Sequence, residues 1–355
     1  MINFTPGPSE LYFTVSDHMK RAFRDGVPSL SHRSKQFESI FASVNDGLRE
    51  LLGIPQGFHI AFCSSATEIW ERSIQNLVGE TSYHLVNGAF SKKYFEISRQ
   101  LGKKATAVEA PAGTGFHHVT IPPGQELIAL THNETSTGVS LSMPFMQTVR
   151  KASPDSLIIV DAVSSLPYPA FDYSAIDSIF FSVQKGFGLP AGLGVWIYND
   201  RCLARAEQLL SQGKSIGTYH NLPTLSAFGK KHQTPETPNV LGIYLLGNVI
   251  ADFLRRGITT IRRETDYKAI LLYQVLDHRK DICAFVQKPE DRSKTVITVS
   301  CPDRIQELTT YLTAKGFYPG DGYGSFKSSQ LRFANFPAHS KEQYEGLADA
   351  IEQFE

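Results

Sequence analysis

Short apolar segments alternate with amphipathic segments along the first two thirds of the chain. Several of the apolar segments have no polar face, which is typical of parallel strands covered by helices on both sides. The intervening segments, such as residues 34–53, repeat apolar residues at helical spacing. Strands that alternate with helices predict an α/β fold with a doubly wound, mostly parallel sheet. The predicted strands are 59–64, 82–87, 104–110, 126–133, 156–163, 178–184 and 194–199.

The pattern changes after a long predicted helix at residues 239–257, which ends at Gly257. Beyond it, three predicted strands (CAFVQ, KTVITVSC and QLRFANF) are separated by helical segments at 303–315 and 340–354. This order indicates a smaller α+β domain at the C-terminus. We therefore expect three parts: a Pro/Gly-rich N-terminal arm (1–15), a large domain (16–245) and a small C-terminal domain (246–355).

The charge balance and the cysteines narrow the class of protein. Lysine plus arginine and aspartate plus glutamate both number 35, so nothing suggests a nucleic-acid or membrane-surface partner. The N-terminus lacks the basic and apolar regions of a signal peptide. The four cysteines show no paired spacing, and the adjacent His117 and His118 have no companions at metal-ligand spacing. We expect a cytoplasmic protein with reduced thiols, without a metal site.

Polar residues interrupt the apolar segments at predicted strand ends. Asp161 ends SLIIV, Lys185 ends SIFFSVQ, SSATE (64–68) follows HIAFC, and NET (133–135) follows ELIALTH. The carboxyl ends of strands in an open α/β sheet border the ligand crevice. A lysine in such an apolar segment is costly unless it is paired, neutralised or used covalently. These residues are therefore candidates for one site.

Each residue alone has an ordinary structural explanation, but the combination fits pyridoxal phosphate. Asp161 could end a turn, Lys185 could lie in a surface loop, and SSAT could simply cap a helix. A pyridoxal phosphate site needs a lysine that forms a Schiff base and a carboxylate that pairs with the pyridine nitrogen. It also needs a helix N-terminus for the phosphate. Phe90 is placed to stack on the ring.

Motifs in chain order resemble the class V aminotransferases of pyridoxal-phosphate fold type I. Within that class, SHR near residue 32, NET, QK and the QTP segment are most similar to phosphoserine aminotransferases. The motifs are TPGP (5–8), SHRSKQF (31–37), SSATE (64–68), HNETSTG (132–138), VDAVSS (160–165), SVQKGFGLPAGLG (182–194), QTPETPNVLGIYLL (233–246) and LRFANFP (331–337).

The resemblance implies a role for each matching residue. Lys185 would hold the cofactor and move protons, Asp161 would bind the pyridine nitrogen, and Arg332 would bind the substrate α-carboxylate. A homodimer with shared active sites is also implied. The remaining implied contacts are Ala66, Thr67 and Gln184 with the cofactor phosphate, Thr135 with the ring hydroxyl, Phe90 with the ring face, Gln233 and Thr234 with the partner's cofactor phosphate, and His32, Arg33 and Lys327 with the substrate.

Two positions depart from the phosphoserine aminotransferase pattern. Ser325 and Phe326 replace a His-Arg pair expected to bind the substrate phosphate, which leaves Lys327 as the nearby cation. Glu68 replaces an arginine in the cofactor-phosphate loop. We expect ping-pong transamination between O-phospho-L-serine and 2-oxoglutarate, in serine biosynthesis.

Two alternatives stay open. VDAVSSL and the replaced His-Arg pair favour a serine or alanine aminotransferase that uses glyoxylate or pyruvate. A non-catalytic pyridoxal-phosphate-binding protein is the other. A cysteine desulfurase is disfavoured because residues 320–332 contain no cysteine.

Overall fold

The computed structural model describes all 355 residues, in fourteen strands and eleven α-helices. The strands, β1 to β14 in chain order, are Ile2–Phe4, Phe58–Cys63, Thr81–Val86, Lys104–Glu109, Leu127–Thr131, Asn133–Glu134, Val139–Ser140, Leu157–Asp161, Ser178–Ser182, Gly194–Asn199, Cys283–Ala284, Val296–Ser300, Phe317–Asp321 and Gln330–Ala334. The helices, α1 to α11, are Val15–Arg24, Lys35–Leu52, Ala66–Leu77, Ala89–Gln100, Met143–Ala152, Asp200–Ser211, Leu222–Gly229, Val240–Arg256, Ile258–Asp277, Ile305–Ala314 and Lys341–Glu352.

A seven-stranded sheet forms the centre of the large domain, in the order β2-β10-β9-β8-β5-β3-β4. All neighbours are parallel except β10, which runs antiparallel to both β2 and β9. The predicted α/β fold with a mostly parallel sheet is therefore confirmed. All seven predicted strands are present, with ends shifted by a few residues.

Helices cover both faces of this sheet. Phe180 and Phe181 are adjacent in β9 and enter opposite apolar clusters, because successive side chains point to opposite faces of a strand. One cluster includes residues of α2 and α8, and the other includes residues of α3 and α6. The carboxyl ends of β8 and β9, which carry Asp161 and precede Lys185, are consequently held in a rigid core.

The small domain contains a five-stranded sheet in the order β1-β13-β14-β12-β11. Strand β1 pairs parallel with β13, with Ile2 opposite Phe317. The chain then crosses to the large domain, where the Ser9 and Tyr12 amides donate to the carbonyls of Gln184 and Gly188. The N-terminal segment thus connects the small sheet to the loop that carries Lys185.

The long helix predicted at 239–257 is α8, which Asn239 caps at its N-terminus. Helix α9 follows immediately after Gly257, whose φ of +83° allows the sharp change of direction. No helix of this chain combines the length and the apolar character that crossing a bilayer requires.

Candidate active site

Asp161 lies at the carboxyl end of β8, near the middle of the sheet, and is 3% exposed. Its Oδ1 accepts a hydrogen bond from the Val163 amide (2.9 Å), and its Oδ2 accepts one from Trp70 Nε1 (2.8 Å). Burial raises the pKa of Asp161 to about 6, although both hydrogen bonds act in the opposite direction. The carboxylate is thus fixed in orientation and would be stabilised by a cationic partner.

Lys185 follows β9 and is 9% exposed. Burial lowers the pKa of its ammonium group to about 8, with Asp161 opposing that shift. The N-terminal segment lies against it, because a Cβ added at Gly7 would come within 2.8 Å of Lys185 Cε. The lysine makes no ion pair, so its amine is available for covalent use.

The N-terminus of α3 forms the candidate phosphate site. Ser65 caps the helix by accepting a hydrogen bond from the Glu68 amide, and the Ala66 amide donates to Ser182 Oγ (2.8 Å). A Cβ on Gly194 would lie 2.6 Å from the Ser65 carbonyl carbon, so only glycine permits this close approach of β10. First-turn amides such as that of Thr67 have no acceptor within the helix, which suits an anion.

Glu68, which stands where the phosphoserine aminotransferase pattern has an arginine, turns back onto its own loop. Its Oε2 accepts hydrogen bonds from the Ser64 amide (2.8 Å) and hydroxyl (2.7 Å), and its Oε1 accepts one from His220 Nδ1 (2.5 Å). Burial alone would raise the pKa of Glu68, but these hydrogen bonds lower it to about 2. The carboxylate is therefore neutralised by His220 beside the phosphate site.

Thr135 and Arg332 meet between the two domains. Thr135 Oγ1 donates to Ser164 Oγ (2.7 Å), and Arg332 Nη1 donates to the Thr135 carbonyl (3.2 Å). Arg332 Nε donates to the Asp321 carbonyl (2.7 Å), so a guanidinium on the small domain points to the large-domain site. A planar fork of this kind suits a carboxylate.

Aromatic rings line the mouth of the site. Lys185 Nζ lies 5.6 Å from the centre of the Phe90 ring, and Phe90 packs against Tyr323 with ring centres 5.0 Å apart. Lys93 Nζ donates to Tyr323 Oη (3.1 Å), and the Arg332 guanidinium lies over the same ring at 5.5 Å. Two cations therefore flank Tyr323.

A buried carboxylate fixes the helix that carries Phe90. Glu134, fully buried, accepts hydrogen bonds at the start of α4 from the Ser91 amide (2.9 Å), the Ser91 hydroxyl (2.8 Å) and the Phe90 amide (3.3 Å). Gly88 permits this approach, since a Cβ there would lie 2.3 Å from Glu134 Cγ. The helix dipole also favours a carboxylate at this end.

The three other predicted substrate contacts, His32, Arg33 and Lys327, lie away from Lys185. Arg33 is exposed and donates to the Thr234 carbonyl (2.6 Å) and to Gln233 Oε1 (3.2 Å). His32 adjoins Arg33, and neither residue contacts Lys185 within one chain. Lys327 lines a separate groove with Arg304 and Asp321. Its assignment as a substrate contact stays a prediction.

The residues around Lys185 fit pyridoxal phosphate by their chemistry. They supply a buried amine without an ion pair, a buried carboxylate with a raised pKa and an open helix N-terminus. Gln184 Oε1 is a buried acceptor without a partner, beside the lysine. Ala66, Thr135 and Phe90, each held by the contacts described above, lie around the same site.

Sequence reasoning missed Trp70, Tyr323, Lys93 and His220, and it included Glu134 only as part of NET, without its contact to α4. Trp70 lies at an apolar helical position and Glu134 in a hydroxyl-rich segment, so neither gave a local signal of its contact. His220 contacts Glu68 across 152 residues, and no local pattern indicates such a pair.

Comparisons with known proteins agree with this geometry. Residues 96–317 match the family model of the class-V aminotransferases. The phosphoserine aminotransferase of Rhodococcus opacus is 29% identical over 330 residues, covering 91% of this chain and 87% of the relative. The crystal structure of a phosphoserine aminotransferase from Cytophaga hutchinsonii is 47% identical, with a TM-score of 0.97, covering 99% of this chain and 98% of that one.

A more distant crystal structure shares the fold alone. The alanine–glyoxylate aminotransferase of Nostoc sp. is 21% identical, with a TM-score of 0.76, and the match covers 99% of this chain and 95% of that one. The overall architecture is thus common to enzymes that differ in substrate. The chain belongs to the class-V aminotransferase family, and it is a pyridoxal-phosphate-dependent aminotransferase.

Proposed function

We propose that the protein transfers the amino group of O-phospho-L-serine to 2-oxoglutarate by a ping-pong mechanism, as a step of serine biosynthesis. The observation that carries the proposal is the convergence of Lys185, Asp161 and Arg332, from two strand ends of the large domain and from the small domain. The relatives from Rhodococcus and Cytophaga, both named phosphoserine aminotransferases, support this substrate.

Lys185 and Asp161 are the catalytic residues of the proposal. When bound, pyridoxal phosphate supplies an aldehyde that links to amines and a ring that withdraws electrons from the substrate Cα. The low pKa of Lys185 leaves a substantial neutral fraction near pH 8, so its Nζ can take up the Cα proton of the amino acid. Asp161 holds a positive charge on the ring nitrogen, and Trp70 and the Val163 amide keep its carboxylate in place.

The other large-domain residues position the cofactor. Ala66, Thr67 and Gln184 hold the phosphate at the N-terminus of α3, where the Thr67 amide has no acceptor within the helix and favours an anion. Thr135 holds the ring hydroxyl through a hydroxyl that Ser164 fixes. Phe90 covers one face of the ring.

Arg332 binds the substrate α-carboxylate, and other cations bind the substrate phosphate. We assign the phosphate to His32 and Arg33 of the partner subunit, together with Lys93. Lys93 is a large-domain cation at the Phe90–Tyr323 mouth, where Ser325 and Phe326 provide none. It donates to a neutral hydroxyl instead of a carboxylate, so its charge is free for an anion.

A homodimer with shared sites is part of the proposal. Gln233 and Thr234 are assigned to the partner's cofactor phosphate, and Arg33 holds their segment on this chain. Phe13 and Tyr219 are 75% and 44% exposed, which supports a covered surface in an assembly. The four free cysteines are consistent with the expected cytoplasmic location.

Transamination of serine or alanine with glyoxylate or pyruvate is the second candidate. Ser325 and Phe326, which replace the expected His-Arg pair, favour it. A non-catalytic pyridoxal-phosphate-binding protein would keep the same cofactor contacts without a half-reaction.

The deciding experiment mixes the purified holoenzyme with O-phospho-L-serine, L-serine or L-alanine in separate stopped-flow runs. Loss of the visible absorbance of the lysine-bound cofactor reports amino-group transfer. Fast conversion with phosphoserine alone supports the proposal, whereas conversion with serine or alanine supports the second candidate. Conversion with none of the three would contradict both.

A further inference from the structure

A buried cluster of ionisable groups lies directly behind the cofactor-phosphate loop and has no part in the proposed amino-group transfer. His220 is 2% exposed, and its Nδ1 lies 2.5 Å from Glu68 Oε1. Its Nε2 lies 3.2 Å from Glu236 Oε2. The imidazole therefore lies between two carboxylates that are far apart in sequence.

The two carboxylates belong to the two segments proposed to hold cofactor phosphates. Glu68 fixes Ser64 through both the amide and the hydroxyl, at the start of this chain's own phosphate loop. Glu236 lies two residues after Thr234, whose Oγ1 donates to the Glu236 carbonyl (2.7 Å). His220 thus connects the loop for one site with the segment assigned to the other.

Of the other groups described around His220, Arg72 is a permanent cation, and it contacts only Glu68 of the two carboxylates. Cys63 is buried, and burial raises the pKa of its thiol, so it stays neutral. Tyr219 stacks on the imidazole with ring centres 3.8 Å apart, and Arg72 Nε lies 3.5 Å from Glu68. Burial alone would lower the pKa of His220, but its neighbours Cys63, Glu236 and Glu68 raise it above its ordinary value. The negative charge of Glu236 also acts on His32, where it opposes the lowering of the His32 pKa by burial.

We propose that His220 is a positioning residue whose imidazolium joins Glu68 to Glu236 and so holds the phosphate loop and the 233–236 segment in their binding positions. The inference rests on the proposed use of the α3 N-terminus for the cofactor phosphate. Without the positive charge of His220, the carboxylates of Glu68 and Glu236 would lie near each other and near the phosphate loop. Their negative charges would then oppose binding of the dianionic cofactor phosphate.

A metal ion is the competing explanation, because ligand atoms of Cys63, Glu68 and His220 all lie within 4.8 Å of one another. The 2.5 Å separation of His220 Nδ1 from Glu68 favours a shared proton. Two ligands of a tetrahedral zinc ion, each about 2.1 Å from the metal, lie farther apart than this.

The test compares cofactor affinity in wild type, His220→Gln, Glu68→Gln and the double variant, using equilibrium titration of the apoproteins with pyridoxal phosphate. His220→Gln should weaken binding at least tenfold, because Glu68 and Glu236 then lose the cation between them and Arg72 alone remains beside Glu68. The double variant, a neutral amide pair, should recover to within about threefold of wild type. His59→Gln, which removes a partly buried histidine 2.7 Å from the exposed Asp200, is the matched control.

The outcomes separate this inference from the proposed function. Unchanged affinity in His220→Gln, or no recovery in the double variant, would overturn the positioning role. Stoichiometric zinc in the purified wild type would contradict the assignment of His220 as a protonated imidazolium. If His220→Gln does not fold, ¹⁵N NMR of the histidine side chains decides, with a cationic His220 expected at pH 8 and a neutral one contradicting the inference. Wild type that binds no pyridoxal phosphate would instead refute the proposed function.

Discussion

At the residue scale, the buried amine of Lys185 destabilises the apoprotein. Its pKa is about 8 in the fold against about 10.4 in an unfolded chain, so the folded state disfavours the charged form. Below pH 8 both states are protonated and the full cost of burial is present. Between pH 8 and 10.4 the unfolded state binds more protons, so the free energy of unfolding rises with pH.

We therefore expect Lys185→Met to stabilise the apoprotein at pH 7 by about 1–3 kcal/mol. The gain over wild type should shrink as pH rises from 8 to 10. Urea denaturation of both apoproteins at pH 7 and 9.5 measures this difference in the free energy of unfolding. An equal or lower stability of the variant at pH 7 would show that Lys185 is not a strained buried cation.

The carboxylate of Asp161 is expected to act on the rate more than on cofactor binding. Asp161→Asn keeps the shape but removes the negative charge that holds the ring nitrogen positive. The single-turnover rate with the preferred amino acid should fall by about 10²-fold or more, since electrostatic stabilisation of developing charge is a large catalytic contribution. Cofactor affinity should fall far less. Equal single-turnover rates would refute the assigned role.

Lys93 is expected to recognise the anionic side chain of the substrate. Lys93→Gln should raise KM for O-phospho-L-serine by about tenfold or more, because a charged hydrogen bond is lost. It should leave cofactor binding unchanged. Lys315→Gln is the matched control, since Lys315 also lies over a tyrosine ring (4.9 Å from the centre of Tyr311) on the small domain. The same KM in both variants would remove Lys93 from the proposal.

The sequence predicted which candidate residues lie at strand ends, but not the residues that contact them. Asp161 and Lys185 were predictable because a polar residue ending an apolar strand marks the crevice edge. The contacts of Trp70 and Glu134 were not, because each joins two segments that are far apart in the sequence. A single sequence does not show which distant segments come into contact, so it gives no indication that Trp70 pairs with Asp161 or Glu134 with Ser91.

At the element scale, the N-terminus of α4 depends on Glu134. Glu134→Gln keeps the size but loses the charge that accepts from Ser91 and Phe90. We expect it to lower the free energy of unfolding by about 1–3 kcal/mol, since a buried charged acceptor is replaced by a neutral amide. Thermal or urea denaturation measures the change. Glu80→Gln, in an exposed pair with Lys104, should have little effect, and a similar loss in both would contradict the capping role.

The prediction of elements succeeded where periodicity is local and failed where pairing is distant. The seven strands of the large sheet follow from apolar segments, and α8 follows from its period and from Gly257. The pairing of β1 with β13 joins residues more than 300 positions apart, so no sequence window contains it. The antiparallel direction of β10 likewise depends on its two neighbours.

At the scale of the whole molecule, the separation of Arg33 from Lys185 predicts that one active site uses both subunits. Within one chain, Arg33 contacts the Gln233–Pro235 segment and the Phe228 ring, and none of its contacts reaches the Lys185 cluster. Arg332, in contrast, contacts Thr135 of its own chain. The two arginines should therefore behave differently when subunits are mixed.

Mixing inactive variants tests this arrangement directly. In a heterodimer of Lys185→Ala and Arg33→Ala chains, one site carries both substitutions and the other carries none if Arg33 acts across the interface. We expect the re-associated mixture to regain up to a quarter of wild-type activity, because half of randomly paired dimers are mixed and each has one intact site. Lys185→Ala mixed with Arg332→Ala should regain nothing, since each site then carries one substitution. Recovery in neither mixture would place Arg33 in its own chain's site, provided that tagged subunits prove that heterodimers formed.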